Sequence, residues 1–224
     1  MRVLAVDTST MAGGVALLDD ERVVGESLLD VRTTHSERLM LAVERALGDA
    51  GWAANSLDGL AVAIGPGSFT GLRIGLAAVK GLALALGCPI AAVPTLDAMA
   101  AGLSWTSRPV CPVLVARKGE VFASLYRWDG EAMHREWDYL SLSVEALGAR
   151  LAEPVIGVGD GAALVSSPLM VLAYPVRRGP SAAVVGWLGR ERLRRGETVN
   201  PSELVPLYLR PSEAELKRRA VAVH

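Results

Sequence analysis

The chain has 224 residues, of which 51% are apolar and 21% charged, and its formal net charge is -1. This composition is typical of a soluble globular protein with one large or two small domains. It argues against a protein that binds nucleic acid by itself, because such proteins usually carry an excess of basic residues. The two cysteines make no disulfide framework and the first apolar run ends early at Asp7, so a reduced, cytoplasmic setting without a signal peptide is expected.

The first residues predict a three-stranded antiparallel meander. Residues 3–6 form an apolar run, and "MAGGVALLDD" and "ERVVGESLLD" follow as strands joined by short turns. Beyond a helix, "GLAVAIG" does not alternate and predicts a strand covered on both faces. With the strand "PIAAVPT" and the short helix "LDAMAAGL", the order of this half is β-β-β-α-β-α-β-α.

Two long helices are expected in this half. Thr34 and Glu37 form a capping box for a helix over 34–50, whose apolar stripe faces the core while Leu41 falls on the polar side. The second helix covers 70–86 and ends at Gly87. It is apolar nearly all round, so it is either central to this chain or shared with a second polypeptide. Its two cations, Arg73 and Lys80, argue against a membrane span.

The second half repeats this pattern. Three strands, "VCPVLVARKG", "EVFASLYRWDG" and "EAMHREWDYLS", precede the helix "SVEALGARLA", the strand "PVIGVGDG" and a long helix from 180 to 197. We therefore expect two α/β lobes with a cleft between them, over 1–105 and 106–224, with the last residues packing back on the first lobe. Two basic clusters are expected to be a solvated helix face and a charged tail: Arg190, Arg192, Arg194 and Arg195, and Lys217, Arg218 and Arg219.

Two polar segments could carry chemistry. The turn Asp7, Thr8, Ser9 could hold a magnesium-water cluster and phosphate, or it could simply satisfy its own backbone. The loop "GPGSFTG", with Gly65, Gly67, Ser68 and Thr70, precedes a helix N-terminus and could bind an anion. It lacks the ending of a Walker A loop and the first glycine of a nucleophile elbow. The alternative is a tight turn with an N-cap.

Metal and nucleophile sites are poorly supported. The histidines are His35, His134 and His224, and none is spaced with another as a metal pair, since Leu39 stands where a second helical ligand would follow His35. No serine or cysteine has the context of an activated nucleophile. Glycines and alanines four apart in the helix over 70–86 instead suggest the close approach of another helix.

Several long motifs resemble one family. "LAVDTST", "HSERLMLAVERAL", "GPGSFTGLRIGLAAVKGLALALGCPIAAVPTLDA", "ARKGEVFASLY" and "PLYLR" look like the bacterial TsaB (YeaZ-type) family. The resemblance implies the actin-like, Hsp70-like, sugar-kinase-like (ribonuclease H-like) α/β fold, with duplicated ββββαβα-type lobes and a cleft. One departure is Ala116, where the family often has aspartate.

The same resemblance implies a function. The family member would be a noncatalytic subunit required to form threonylcarbamoyladenosine at position 37 of tRNAs reading codons that begin with A. Its partners would be a TsaD-type catalytic paralogue and a TsaE-type ATPase, with tRNA reached only through the complex, a homodimer in isolation and no membrane. No cofactor or metal is implied, although a nucleotide could lie at the complex interface.

The resemblance also assigns residues. Asp7, Thr8, Ser9, Gly65, Gly67, Ser68 and Thr70 would be the remnant of a phosphate loop, with no catalytic residue. The helices over 34–50 and 70–86 would dock the partner. The expected contact residues are His35, Glu37, Leu41, Leu72, Arg73, Leu76, Val79, Lys80 and Ala83. Two alternatives remain open: a small ATP-dependent phosphotransferase of the same fold, and a peptidase-like relative.

Overall fold

The structure is a computed structural model that describes residues 1–30, 35–175 and 179–209; the side chains of 29, 30 and 35–37 are also outside the description. The described residues form two sheets, each built from one half of the chain. The capping box at Thr34 and the basic cluster 217–219 fall outside the described residues.

The first half follows the order of elements that the residues predicted. It has three strands before the first long helix, whereas the ββββαβα pattern implied by the resemblance has four. Its elements are β1 Arg2–Asp7, β2 Ala12–Asp19, β3 Arg22–Asp30, α1 His35–Ala50, β4 Gly59–Gly65, α2 Phe69–Leu86, β5 Ile90–Pro94 and α3 Thr95–Ala101. The second half contains β6 Val110–Arg117, β7 Glu120–Ala123, β8 Tyr126–Trp128, β9 Met133–Arg135, β10 Leu140–Ser143, α4 Val144–Arg150, β11 Val155–Val158, β12 Met170–Leu172 and α5 Ala182–Arg194. Two short 3-10 helices cover Ala54–Ser56 and Ala162–Leu164.

The two sheets share one topology. The first has the order β3-β2-β1-β4-β5, in which β1 to β3 pair antiparallel and β4 and β5 continue in parallel. In the second, β10-β7-β6-β11-β12, the same sequence of antiparallel and parallel pairings recurs. The duplication that the order of elements predicted is therefore confirmed at the level of strand pairing.

The second half has more strands than predicted. The segment "EVFASLYRWDG" divides into β7 and β8, which both pair with β6. The strand is interrupted at 124–125, where the Ser124 hydroxyl donates a 2.7 Å hydrogen bond to the Trp137 carbonyl. "EAMHREWDYLS" likewise divides into β9, which forms a hairpin with β8, and β10, which pairs with β7. The three-residue β12 was not predicted, because a run that short carries no period.

Helix α5 belongs to the second half by sequence but packs on the first sheet. Its apolar side joins a core with β1, β2, β4 and β5, and α3 lies between this layer and the second sheet. The opposite face of the first sheet is covered by α1 and α2. The predicted domain boundary at 105/106 stays a prediction. Helix α5 follows that boundary in the sequence but packs on the sheet of the first half.

Helix α2 has well-defined ends and a buried side. Ser68 Oγ accepts a hydrogen bond from the Gly71 amide, and the helix ends at Gly87 in the left-handed region, with φ of 68°. It is the one helix of the described chain long and apolar enough to cross a membrane, with mean hydropathy 1.5. A third of it is buried in the protein, where it packs on β4.

Candidate functional site

The turn after β1 is closed by its own hydrogen bonds. The side chains of Asp7, Thr8 and Ser9 are at most 1% exposed. Asp7 Oδ1 accepts hydrogen bonds from the Ser9 amide at 2.8 Å and from the Ser9 hydroxyl at 2.6 Å. A carboxylate that binds the backbone two residues later forms an Asx turn, so this oxygen of Asp7 is used to shape the turn.

The glycine loop lies directly against this turn. The Ser68 amide donates a 2.7 Å hydrogen bond to the Ser9 carbonyl, and the Thr8 hydroxyl donates one of 2.8 Å to the Gly71 carbonyl. A Cβ atom on Gly67 would lie 2.2 Å from the Ser9 carbonyl oxygen, and one on Gly71 would lie 2.1 Å from the Thr8 carbonyl oxygen. The loop needs glycine here because the protein's own backbone approaches it closely.

This packing bears on nucleotide binding, which the fold and the glycine loop would suggest. The predicted phosphate-loop residues do come together in the structure, and the β1 turn contacts the glycine loop directly through Thr8 and Ser9. The prediction that another helix approaches these glycines is wrong for Gly71 and Gly75, where Thr8 of the β1 turn makes the close contact. At Gly81, where nothing lies within 4 Å of a Cβ atom, it stays a prediction.

The C-terminal segment closes the other side of the loop. The Leu207 amide donates a 2.7 Å hydrogen bond to the Ile64 carbonyl. The next residue, Tyr208, stacks on Phe69 with ring centroids 5.4 Å apart, and its hydroxyl accepts a hydrogen bond of 3.1 Å from Arg73 Nε. Arg73 also lies over the Phe69 ring at 3.8 Å. The motif "PLYLR" therefore anchors the end of the described chain to the start of α2.

The expected contact residues of α2 need correction. Leu72, Leu76, Val79 and Ala83 are 0–3% exposed and belong to this chain's own core. A partner cannot reach them in the folded protein. Helical period alone could not separate the two sides of α2, because leucine and alanine occur on both.

The exposed side of α2 is a different stripe. Arg73, Ala77, Gly81 and Leu84 follow one another at helical spacing and are all exposed, with Leu84 at 75%. Lys80 beside them is half-buried. Nothing lies within 4 Å of a Cβ atom placed on Gly81. This set, here called the α2 stripe, is apolar apart from Arg73 and has small residues at its centre.

Helix α1 places its candidates elsewhere. Leu41 is 44% exposed and lines a groove beside β3. Because α1 lies over β2 and β3 whereas α2 lies over β4 and β1, this is the side of α1 that faces away from α2. The side chains of His35 and Glu37 lie outside the description.

A polar cluster that the sequence did not reveal joins the two lobes. Asp97 of α3 accepts hydrogen bonds of 2.7 Å from the hydroxyls of Tyr126 and Tyr139, both in the second half. Arg192 of α5 lies 3.7 Å from the same carboxylate. Burial and the negative charge of Asp97 raise the pKa of both tyrosines. No local motif marks such a cluster, since its members lie far apart in the sequence.

The expectation of a solvated basic face holds for Arg194 and Arg195, which are exposed, but it is wrong for Arg190, which is buried, while Arg192 is half-buried. Arg190 is 2% exposed and pairs with Glu191 at 2.7 Å. Arg194 pairs with Asp20 at 2.8 Å, and Arg195 with Glu197 at 2.7 Å. Arg192 donates a hydrogen bond to the Ala92 carbonyl. These intramolecular contacts compete with any role of the cluster in binding RNA.

Two further positions can be placed. Ala116 is partly buried against the core between α3 and the second sheet, so the methyl group packs where the family often has a carboxylate. Within the ranges that the structure describes, no three histidine, cysteine, aspartate or glutamate side chains group as metal ligands. Cys88 and Cys111 are both free thiols, and burial raises the pKa of Cys111 to about 12.

Two duplicated sheets, a β1 turn against a glycine loop and a central α3 together define a protein of the actin-like α/β class. The activator of 2-hydroxyisocaproyl-CoA dehydratase from Clostridium difficile, solved with bound ADPNP, shares this fold with a TM-score of 0.51 at 9% identity, over 88% of this chain and 97% of its own. YeaZ from Pseudomonas aeruginosa is much more similar, with a TM-score of 0.82 and 31% identity over 93% and 99% of the two chains.

Sequence comparisons agree. The family model of TsaD, tRNA N6-adenosine threonylcarbamoyltransferase, matches residues 30–147. The tRNA threonylcarbamoyladenosine biosynthesis protein TsaB of Bacillus subtilis is 32% identical over 97% of both chains. The chain belongs to the TsaB (YeaZ) family.

Proposed function

We propose that this chain acts in tRNA threonylcarbamoyladenosine biosynthesis as a noncatalytic partner subunit. It binds and activates a TsaD-type catalytic paralogue, which forms the threonylcarbamoyl group on adenosine 37 of tRNAs reading codons that begin with A. A TsaE-type ATPase joins the assembly, and tRNA is reached only through the complex. The chain is cytoplasmic, without a membrane contact, and forms a homodimer when alone. The full-length similarity to a TsaB protein supports the biosynthetic role.

The observation that carries the noncatalytic part is the direct contact between the β1 turn and the glycine loop. Thr8 and Ser9 are bonded to this loop, with the Ser9 carbonyl 2.7 Å from the Ser68 amide and the Thr8 hydroxyl 2.8 Å from the Gly71 carbonyl. Asp7 Oδ1 is engaged by Ser9. These contacts favour a structural role of the loop, and any nucleotide is placed at the interface of the complex instead.

The proposed docking surface is the α2 stripe. Ala77 and Gly81 allow the backbone of a partner helix to approach closely, and Leu84 offers an exposed apolar side chain. An apolar face with small residues at its centre suits helix-to-helix packing with a paralogue or a second copy. The stripe replaces the buried residues Leu72, Leu76, Val79 and Ala83 as contact candidates.

Co-expression with the TsaD-type paralogue tests the proposal directly. We expect a complex that co-purifies through size-exclusion chromatography, and loss of the modified adenosine from tRNA when the gene is deleted. Restoring the gene should restore the modification. Deletion without any change in tRNA, together with no complex, would reject the proposal. Robust ATP turnover by the isolated chain would favour a phosphotransferase instead, and peptide cleavage a peptidase-like relative.

A further inference from the structure

The outer edge of the first sheet forms a second surface, separate from the α2 stripe. We propose that β3 accepts an extended segment of a partner protein as an added strand. The segment would be amphipathic, with acidic side chains on the face toward α1 and apolar side chains on the face toward α5. This inference does not depend on the proposed function, because it uses only the geometry and charges around β3.

The edge itself is long and partly apolar. Strand β3 has nine residues and lies at the end of the sheet order. The opposite edge is partly covered, since the Val199 amide donates a 2.9 Å hydrogen bond to Ile90 of β5, but no strand of the described chain pairs with the outer side of β3. Val23 and Leu28 on β3 are 48% and 54% exposed. Proteins usually protect such an edge, because it is a template for pairing with another chain.

A groove beside this edge leaves room for side chains of an added strand. It lies between β3 and α1 and has a volume of about 600 Å³. Gly25 and Ser27 form part of its lining and pair with Leu17 and Val15 of β2, whose side chains belong to the core under α1. Because these two β3 residues are small, the space over them stays open. Leu41 of α1 adds an apolar wall.

The charge of the groove selects the occupant. Arg38 and Arg45 of α1 line it, and neither forms an ion pair with any residue in the described ranges. They are seven residues apart, which corresponds to roughly 10 Å along the helix. Acidic residues two or four apart on one face of a strand lie roughly 7 or 14 Å apart, within reach of two flexible arginines. Two acidic residues also line the groove, Asp49 of α1 and Glu26 of β3. The Glu26 carboxylate is already bound by the Ser181 hydroxyl and the Ala183 amide.

The other face of the added strand would meet different chemistry. Val23 pairs with Leu18 and Leu28 with Gly14, so both lie on the α5 side of the sheet. Glu26 lies between them on this side, with its carboxylate bonded to the start of α5. Apolar side chains on that face of the segment would cover Val23 and Leu28. A second copy fits less well: antiparallel pairing of two β3 edges would bring Arg38 and Arg45 of both copies to the same face of the joined sheet, where like charges repel.

A labelled peptide tests this arrangement. We would titrate the full chain with a fluorescein-labelled peptide of alternating glutamate and valine, about eight residues long as is usual for strands, and follow anisotropy. Saturable binding is expected, with slower amide hydrogen exchange within residues 23–28. Arg38→Glu combined with Arg45→Glu should weaken binding at least tenfold. The matched variant Arg108→Glu, an exposed arginine in the other part of the molecule, should leave the affinity unchanged.

One further variant and two control peptides distinguish backbone pairing from simple charge attraction. Gly25→Leu, which fills the groove without changing its charge, should also abolish binding, and thermal unfolding checks that each variant is folded. A lysine–valine peptide and a glutamate–valine peptide with alternate amides N-methylated should not bind. Retained binding of either peptide, no binding of the original, or no exchange protection in β3 would overturn the proposal. Self-association that protects β3 by itself would assign the edge to a second copy and overturn it as well.

Discussion

The Ser9 carbonyl accepts a 2.7 Å hydrogen bond from the Ser68 amide, which joins the β1 turn to the cap of α2. In a phosphate-binding protein these two segments would both face the ligand. Here they face each other, and the glycines between them make that contact possible. The same motif that suggests an anion site in the sequence is therefore a packing device in the fold.

Substituting Gly71 should test this packing. In Gly71→Ala the new methyl group would meet the Thr8 carbonyl oxygen at 2.1 Å, so the backbone must shift and the free energy of unfolding should fall by about 1–3 kcal/mol. Gly48→Ala in α1 is the matched control, since nothing lies within 4 Å of its Cβ; it should gain up to about 1 kcal/mol from helix propensity. Urea denaturation measures both. Equal effects of the two substitutions would contradict the close approach.

The α2 stripe gives a test of the docking surface. Leu84→Glu places a charge on a residue that is 75% exposed, so the monomer should stay folded while pairing with the paralogue and with itself is lost. Leu164→Glu, at a residue 53% exposed in the second half, should leave both associations intact. Size-exclusion chromatography with light scattering reports the masses. Leu76→Glu is unsuitable for this purpose, because Leu76 is 3% exposed and a buried charge would unfold the protein. A complex that survives Leu84→Glu would place the interface elsewhere.

The C-terminal segment should contribute to the core of the first lobe. Leu204 is 2% exposed and packs in the cluster under α1 and α2, so Leu204→Ala should lower the free energy of unfolding by about 2–5 kcal/mol. The adjacent Val205 is 63% exposed, and Val205→Ala should change it by less than about 0.5 kcal/mol. Chemical denaturation distinguishes the two. A small effect at Leu204 would mean that this segment is dispensable for the fold.

The lobe-joining cluster predicts a loss of stability in alkali. The pKa values of Tyr126 and Tyr139 are raised in the folded protein, so above the ordinary tyrosine value of about 10 the unfolded chain loses protons that the folded one keeps. Stability is therefore fully present below that pH and falls as pH rises, by up to about 1.4 kcal/mol per pH unit for each phenol. The raised pKa of the Cys111 thiol also lowers the stability as pH rises, between the ordinary thiol pKa and about 12.

Urea denaturation between neutral and strongly alkaline pH measures that slope. The double variant Tyr126→Phe, Tyr139→Phe should show a shallower decline, and it should also be less stable at neutral pH, because Asp97 loses two hydrogen bonds worth about 1 kcal/mol each. Cys111→Ala separates the thiol contribution. An unchanged alkaline slope in the tyrosine variant would show that the phenols do not carry the effect.

Local patterns predicted much of the fold. The meander, α1, α2 and the repeated order of elements follow from apolar runs, turn residues and helical period, which depend on neighbours in the sequence. The division of the second meander at Ser124 and the short β12 were missed, because pairing partners decide where such strands break. The residues of the predicted phosphate loop were found together, but what lies between them could not be read from the sequence.

By itself the sequence determined the class of this protein, the resemblance that gives its family, and the position of a glycine loop before an almost wholly apolar helix. Only the tertiary structure decided which side of that helix is exposed and which residues contact the loop. The reason is physical: Leu76 and Leu84 are the same residue type, and only packing against β4 and the neighbouring core buries the first and leaves the second in solvent. Likewise, position 71 requires glycine because the carbonyl group of Thr8, more than sixty residues earlier in the chain, leaves no room for a Cβ atom.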